Sequence, residues 1–365
     1  AVCDVDENHL AGALEAAGSD CKGYGDFREL LMRDDIDMVH IVTPPHWHGL
    51  MSIAAAEAGK DIWCEKPMTR TISEGEKVLK AVKRNGCMFR INTWFRFKGG
   101  FAGGYNRNDG TETPVKPIKK AVIGGLLGWP LKITINDSTG LSWKLDTWSG
   151  RTNLTPQPVP SELNYDMWLG PAPVKVYHPH RVHGSFRGYW DYDGGGLGDM
   201  GQHYLDPAQY LLDKDDTSPV EVSADTAQQH PDAASPWRTV RLRYADGCEI
   251  ILDGENKLTD APFIEGPGGK IYKDFRSDIP NLRETVAALP DPEPQMMDFN
   301  ESVRTRKKFA LNEQNGYRSC TLVNLSVAAV RLGRKLNFDP KKQRFVGDDE
   351  ANRLINQPMR APWHA

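Results

Sequence analysis

The chain has 365 residues, 39% of them apolar and 26% charged, with a formal net charge of -4. That balance excludes a basic nucleic-acid surface, and no apolar run is long enough to span a bilayer. The length suffices for two domains of ordinary size.

The first hundred residues alternate helix and strand patterns. Helices are predicted over residues 8–17 and from Gly25 to Leu31. Met38–Thr43 reads as a buried strand, followed by a Pro-Pro-His-Trp-His turn and a small-residue helix over 49–58. Strands over 61–64 and 88–92 flank a helix over 73–85. This alternation predicts βαβ units and a parallel sheet up to about residue 97. Residues 99–117 are rich in Gly, Asn, Thr and Pro and read as an irregular insertion. A strand over 131–135 precedes an aromatic, proline-rich stretch running to Tyr192 and a short helix over 201–212. Strands follow over 220–227, 237–244 and 249–252, the last two joined by an Asp246-Gly247 hairpin. Residues 311–334 carry apolar side chains at helical spacing. The expected fold is therefore α/β plus α+β. A parallel domain (1–97) precedes a domain with a mostly antiparallel open sheet (98–340) and a C-terminal arm (341–365). The six cysteines, at positions 3, 21, 64, 87, 248 and 320, form no Cys-x-x-Cys. They read as mostly buried, reduced thiols and favour the cytoplasm.

One stretch, Ile62-Trp63-Cys64-Glu65-Lys66-Pro67-Met68-Thr69, places a lysine at the exit of a strand. A residue before proline is held extended, and open α/β sheets present their ligand crevice at strand exits. Most lysines are solvated surface charges, but Trp63 and Met68 give this one a desolvating frame. Further on, the stretch from Asp193 through Gly194, Gly195, Gly196 and Gly198 reads as a flexible entry into a helix on which Asp199 and His203 share a face. A carboxylate one turn from a histidine orients it, and a histidine is a natural acceptor for a hydroxyl proton. The ordinary alternative is a helix-capping aspartate and a hydrogen-bonded surface histidine.

Glu65-Lys66-Pro67, followed by Gly-Gly-Gly-x-x-Asp199-x-x-x-His203, resembles the Gfo/Idh/MocA family (glucose–fructose oxidoreductase, inositol dehydrogenase). Thr43-Pro44-Pro45-His46-Trp47-His48 is similar to that family's Thr-Pro-x-x-x-His turn. Residues 164–171 and 337–363 are similar to a subgroup with aromatic-rich substrate domains. The resemblance implies a Rossmann-type first domain holding NAD and a sugar, polyol or glycoside lying on the second domain's sheet. It implies Lys66 bonding the reacting hydroxyl, with His203 as general base paired to Asp199. It places Thr43, Pro44, His48 and Glu65 with Lys66 along the nicotinamide side. His48 has a helix-capping alternative. Asp4 would accept from the adenosine ribose, favouring NAD over NADP, although Asp6 competes for that role and either acid could simply cap a helix.

Arg96, Tyr177, Arg187 and Trp190 are expected to line the sugar pocket, since sugars stack on aromatics and need polar partners for their hydroxyls; the alternative for the tryptophans is that they bury the loop. The histidines at 178, 180 and 183 sit in a proline-broken loop without paired cysteines, so a metal is not expected. An open sheet face makes a homodimer or homotetramer the expected assembly, with no nucleic-acid or membrane partner.

The family's opening strand, Gly-x-Gly-x-x-Gly loop and helix have no counterpart before Ala1, so the chain is expected to be a fragment that binds cofactor weakly. Any targeting peptide would precede Ala1, which leaves export open. Two other functions stand beside the dehydrogenase: an NAD-dependent glycosidase working by transient oxidation and elimination, and a non-catalytic ligand-binding protein.

Overall fold

The structure, a computed structural model, describes residues 1–93, 96 and 115–364. The first domain runs β1 (Val2–Cys3), α1 (Glu7–Ala17), β2 (Gly23–Tyr24), α2 (Phe27–Leu31), β3 (Met38–Ile41), α3 (Pro45–Glu57), β4 (Asp61–Cys64), α4 (Ile72–Asn85) and β5 (Phe89–Ile91). Short polar side chains start its helices. Asp6 caps α1 by accepting from the amides of Asn8 and His9, and Thr71 with Glu74 forms a capping box on α4. Helix α3 begins four residues before the sequence reading placed it. Pro45 occupies the first turn, where a missing N–H costs nothing, so His46 and His48 lie on the helix rather than in a preceding turn.

All strand pairs of this domain are parallel, as expected. They form two separate sheets, β1–β2 and β3–β4–β5. A doubly wound sheet of order 3-2-1-4-5-6 has one further strand between two such groups.

The second domain contains α5 (Val115–Ile123), β6 (Lys132–Ile135), α6 (Tyr165–Leu169), α7 (Gly195–Leu211), β7 (Glu221–Thr226), β8 (Trp237–Arg243), β9 (Glu249–Asp253), β10 (Ile264–Gly266) and β11 (Gly269–Ile271). It continues with α8 (Leu282–Ala288), α9 (Phe299–Thr305), α10 (Glu313–Leu332), β12 (Leu336–Asp339), β13 (Arg344–Phe345) and α11 (Asp349–Ile355). Eight strands form one sheet in the order β11-β10-β6-β9-β8-β7-β12-β13, antiparallel except for the β6–β9 pair. Residues expected to form a separate arm thus add an edge strand, β13, to this sheet. The expected insertion over 99–117 and the 97/98 boundary fall largely outside the described residues.

Helices α7 and α10 pack on each other and α10 also meets α4, so one core joins Ile62, Met68 and Ile91 to Leu205, Leu322 and Leu325. The sheet's outward side chains include paired charges. Glu221 meets Arg243 at 2.6 Å and also Lys335, and Lys132 meets Glu265.

A second seam is aromatic. His46 Nε2 lies 2.9 Å from the Trp168 carbonyl, and Trp47 Nε1 donates to the same oxygen at 3.1 Å. Trp363 of the C-terminal segment packs edge-on against Trp47 with ring centroids 4.8 Å apart. Gly170 makes this approach possible. Its φ is +49°, and a Cβ there would stand 2.1 Å from the Trp47 ring. Gly170→Ala is expected to displace Trp47 and to cost about 1–3 kcal/mol. Thermal unfolding followed by tryptophan fluorescence checks this, and an unchanged melt with an unchanged spectrum would remove the constraint.

Candidate active site

Strand β4 delivers Glu65 and Lys66 to the boundary between the domains. The loop that follows is clamped from the other side. Gln202 on α7 accepts from the Met68 amide at 2.8 Å through Oε1, and its Nε2 donates to the Gly316 carbonyl and Ser319 Oγ on α10 at 2.8 and 2.9 Å. Cys320 Sγ lies 3.4 Å from the Thr69 amide and 3.1 Å from the Thr69 carbonyl. A loop held by both α7 and α10 fixes where the Lys66 side chain starts.

Lys66 Nζ donates to Asp199 Oδ1 at 3.0 Å and to the Asp199 carbonyl at 2.5 Å. Asp199 receives further donors: Arg187 Nε at 3.1 Å on Oδ1 and Trp148 Nε1 at 2.6 Å on Oδ2. Lys144 Nζ stands 3.9 Å from Oδ2. Burial opposes the charge of Asp199, but Lys66 and Arg187 together hold it down to about 2. Asp199 is therefore an ionised anchor rather than a base.

One turn on, His203 is pushed down to about 3, by burial first and by the Lys66 charge second. It is a neutral imidazole at pH 7 and able to accept a proton. Asp193 lies behind the site. Burial, and then the charge of Asp199, raise its carboxyl to about 7, while the Gly194 amide donates to it at 2.8 Å.

The helix carrying Asp199 and His203 starts at Gly195, six residues before the expected 201. The reason is close packing. A Cβ at Gly196 would stand 2.2 Å from the Trp143 carbonyl, and one at Gly198 would stand 1.6 Å from Asp193 Oδ1. These glycines serve helix seating rather than flexible entry.

The first domain's candidates fall into two groups. Asp6 is taken up as the α1 cap, which leaves Asp4 at the end of β1 with its carboxylate 40% exposed. Asp4 Oδ1 accepts from the Asp6 amide at 3.0 Å, and Oδ2 lies 4.0 Å from His9 Nδ1. His48 is buried and bridges the two strand exits, with Nε2 2.6 Å from the Thr43 carbonyl and Nδ1 2.7 Å from that of Pro67. Glu65 accepts from Asn92 Nδ2 at 2.5 Å and lies 3.5 Å from His40 Nε2. Pro44 caps α3 without a side-chain bond and stands beside Thr43 at the exit of β3. Thr43, Pro44, Glu65, Lys66 and Asp4 thus lie at the C-terminal ends of parallel strands, the edge where a dinucleotide fits. Residues 1–93 contain no Gly-x-Gly-x-x-Gly.

Residues 1–93 match the family described as "Oxidoreductase family, NAD-binding Rossmann fold", and residues 111–365 match its "C-terminal alpha/beta domain". The chain belongs to the Gfo/Idh/MocA oxidoreductase family. Its relatives include inositol 2-dehydrogenase of Salmonella paratyphi B, 27% identical over 50% of this chain and 50% of the relative. Levoglucosan dehydrogenase of Pseudarthrobacter phenanthrenivorans is 28% identical over 51% of this chain and 36% of the relative. Myo-inositol 2-dehydrogenase of Thermotoga maritima is 23% identical over 80% of this chain and 70% of the relative. The chain thus spans about half the length of the first curated relatives it matches. Among solved structures, the WlbA dehydrogenase of Bordetella pertussis in complex with NADH and UDP-GlcNAcA shares the fold. The TM-score is 0.58 at 19% identity, over 92% of this chain and 89% of that one.

Of the four residues expected at the sugar, this member of the Gfo/Idh/MocA family brings one to the site. Arg187 contacts Asp199 and lies over the Trp148 ring, 4.8 Å from its centroid. Arg96 is instead enclosed, its side chain 0% exposed, donating to Asp206 at 2.8 and 2.9 Å and to Asp215 at 2.6 and 2.8 Å. A guanidinium spent on two carboxylates ties the chain to α7 and cannot line an open pocket. Tyr177 is buried edge-on against Tyr165 in the aromatic cluster beneath α6. Trp190 is also buried, donates to the His230 carbonyl at 3.0 Å and faces Arg331.

Trp148, Lys144 and Gln202 carried no sequence signal for the site, since their partners lie 51 or more positions away along the chain. The histidine-rich loop does bring His183 within reach of His9 and Asp6, one ligand atom from each lying within 4.8 Å. Asp6 caps α1 there through Oδ1, while its Oδ2 lies 3.7 Å from His183 Nε2.

Two predictions follow from these environments. Because the folded state raises the Asp193 pKa from 3.8 to about 7, its stabilising contribution is full below 3.8 and lost as pH rises through 7. Asp193→Asn, which keeps the acceptor for Gly194, is expected to melt higher than the parent at pH 8, by on the order of 2 kcal/mol, with the gain gone at pH 4. Parallel melts across that range check it, and a gain that does not depend on pH would remove the titration. Arg96→Met leaves buried carboxylates uncompensated and is expected to cost about 3–5 kcal/mol, read by urea unfolding.

Proposed function

We propose that the chain is the core of an NAD-dependent oxidoreductase acting on a secondary hydroxyl of a sugar, polyol or glycoside. The observation that carries this reading is the meeting of Lys66 and ionised Asp199 across the two domains, beside a neutral His203 on the next turn of α7. A nicotinamide, when bound, supplies the hydride acceptor. Lys66 donates to the reacting oxygen and stabilises the alkoxide that develops as the hydride leaves carbon. His203 takes the hydroxyl proton, a role open to it because it is not already protonated. Asp199 holds Lys66 and Arg187 in place. The relatives named as inositol and levoglucosan dehydrogenases support a polyol or anhydrosugar class of substrate. Asp4, whose carboxylate at the end of β1 is 40% exposed, supports NAD over a 2′-phosphorylated cofactor. Assembly as a homodimer or homotetramer belongs to the same proposal and is read by light scattering.

His203→Asn is expected to lower turnover about 10²–10⁴-fold with cofactor affinity kept, and Lys66→Met about 10²–10³-fold. Steady-state NADH production with myo-inositol and levoglucosan, together with NAD titration by fluorescence, checks both. Unchanged turnover in His203→Asn would remove it as the base. Product release without net NADH would move the reading to oxidation–elimination of a glycoside.

A further inference from the structure

Away from Lys66 and Asp199, a cleft of about 330 Å³ opens between the end of α10, helix α11 and the loop before β8. That volume lies within the range of small-metabolite pockets. Its walls include Trp190, His230, Arg331, Arg353 and Leu354. A narrower cavity shares Trp190, Arg331 and Leu354 with it and runs on to Arg70, Pro67 and Asp193 behind the loop that carries Lys66.

The chemistry of the cleft is cationic. Arg331 is half-buried with its guanidinium 5.5 Å from the Trp190 ring centroid. It forms no hydrogen bond or ion pair with a described residue. The nearby carboxylate that favours its charge, Asp191, is engaged by Lys175 at 3.3 Å. Burial, with the charge of Arg70 adding to it, pushes Arg331 down to about 10. A position near the C-terminus of α10 explains a cation there, through the helix dipole, but not a desolvated one without a counter-ion.

Arg353, exposed on α11, adds a second guanidinium. His230 adds a donor of fixed direction: its Nδ1 accepts from the amides of Asp232 and Ala233 at 3.1 and 3.3 Å, so Nε2 carries the proton. Glu350, the acid on the cleft wall, is held by Arg334 at 3.0 Å. Pro231, Leu332 and Leu354 offer apolar surface for the body of a ligand, over a floor formed by buried Trp190.

We propose that this cleft binds the oxyanion group, phosphate or carboxylate, of a sugar-sized metabolite at a site separate from the reacting hydroxyl. Arg331 and Arg353 take the oxyanion, His230 Nε2 donates to it, and Pro231, Leu332 and Leu354 meet the carbon skeleton. The site uses none of the groups assigned to hydride transfer, so it stands or falls independently of the proposed reaction.

The test is calorimetric titration of the full chain, at constant ionic strength, with glucose 6-phosphate, gluconate and glucose. The expected result is saturable binding of one or both anions and none of glucose. The phosphate and carboxylate arms decide which anion the site prefers. Arg331→Met and Arg353→Gln are each expected to weaken that binding about tenfold or more. Absence of binding by both anions, or equal affinity in the variants, would overturn the proposal. Should Arg331→Met fail to fold, the exposed Arg353→Gln carries the test alone, and unchanged affinity there overturns it.

Discussion

The contact on which the rest of this structure depends is that of Lys66 with Asp199. It joins the exit of a parallel strand in one domain to the first turns of a helix in the other. Both groups are largely removed from water, with side chains 14% and 8% exposed, so neither tolerates the loss of its partner. Much of the surrounding structure serves this pair. Gln202 and Cys320 hold the loop after Pro67, Arg187 and Trp148 fill the remaining lone pairs of Asp199, and glycines 196 and 198 let α7 seat closely enough for the carboxylate to reach. The neutral state of His203 follows from the same arrangement, because burial first, and then the charge of Lys66 beside it, penalise its protonated form.

The aromatic seam between His46, Trp47, Trp168 and Trp363 does complementary work at the other end of the domain boundary. Two ring nitrogens converge on one carbonyl, and the C-terminal segment closes over them. An ionic contact and an aromatic one thus join the domains on top of the apolar core they share. The proposed site for a cofactor and a hydroxyl substrate is at the ionic contact, where α7 faces the strand exits.

Several elements were legible in the sequence because their signals are local. The βαβ alternation, the Asp246-Gly247 hairpin and the i, i+4 spacing of Asp199 and His203 are each contained within a few residues. Other elements were misread because a local signal has two meanings. Gly194 to Gly198 read as a flexible entry, yet those glycines are the start of a helix pressed against Trp143 and Asp193. Arg96, Tyr177 and Trp190 are residue types that suit a sugar pocket, but the same types also suit a buried ion cluster and an aromatic core.

The sequence by itself determined the order of the elements, the family resemblance and the identity of Lys66, Asp199 and His203 as candidates, because periodicity, turn chemistry and short motifs are properties of neighbouring residues. Only the tertiary structure decided which charges meet. Lys66 and Asp199 are 133 positions apart and Arg96 and Asp206 are 110 apart, and nothing local distinguishes the arginine that pairs in the core from the one that faces the site. Burial, and with it every shifted pKa at the site, arises from atoms that the chain brings together only on folding.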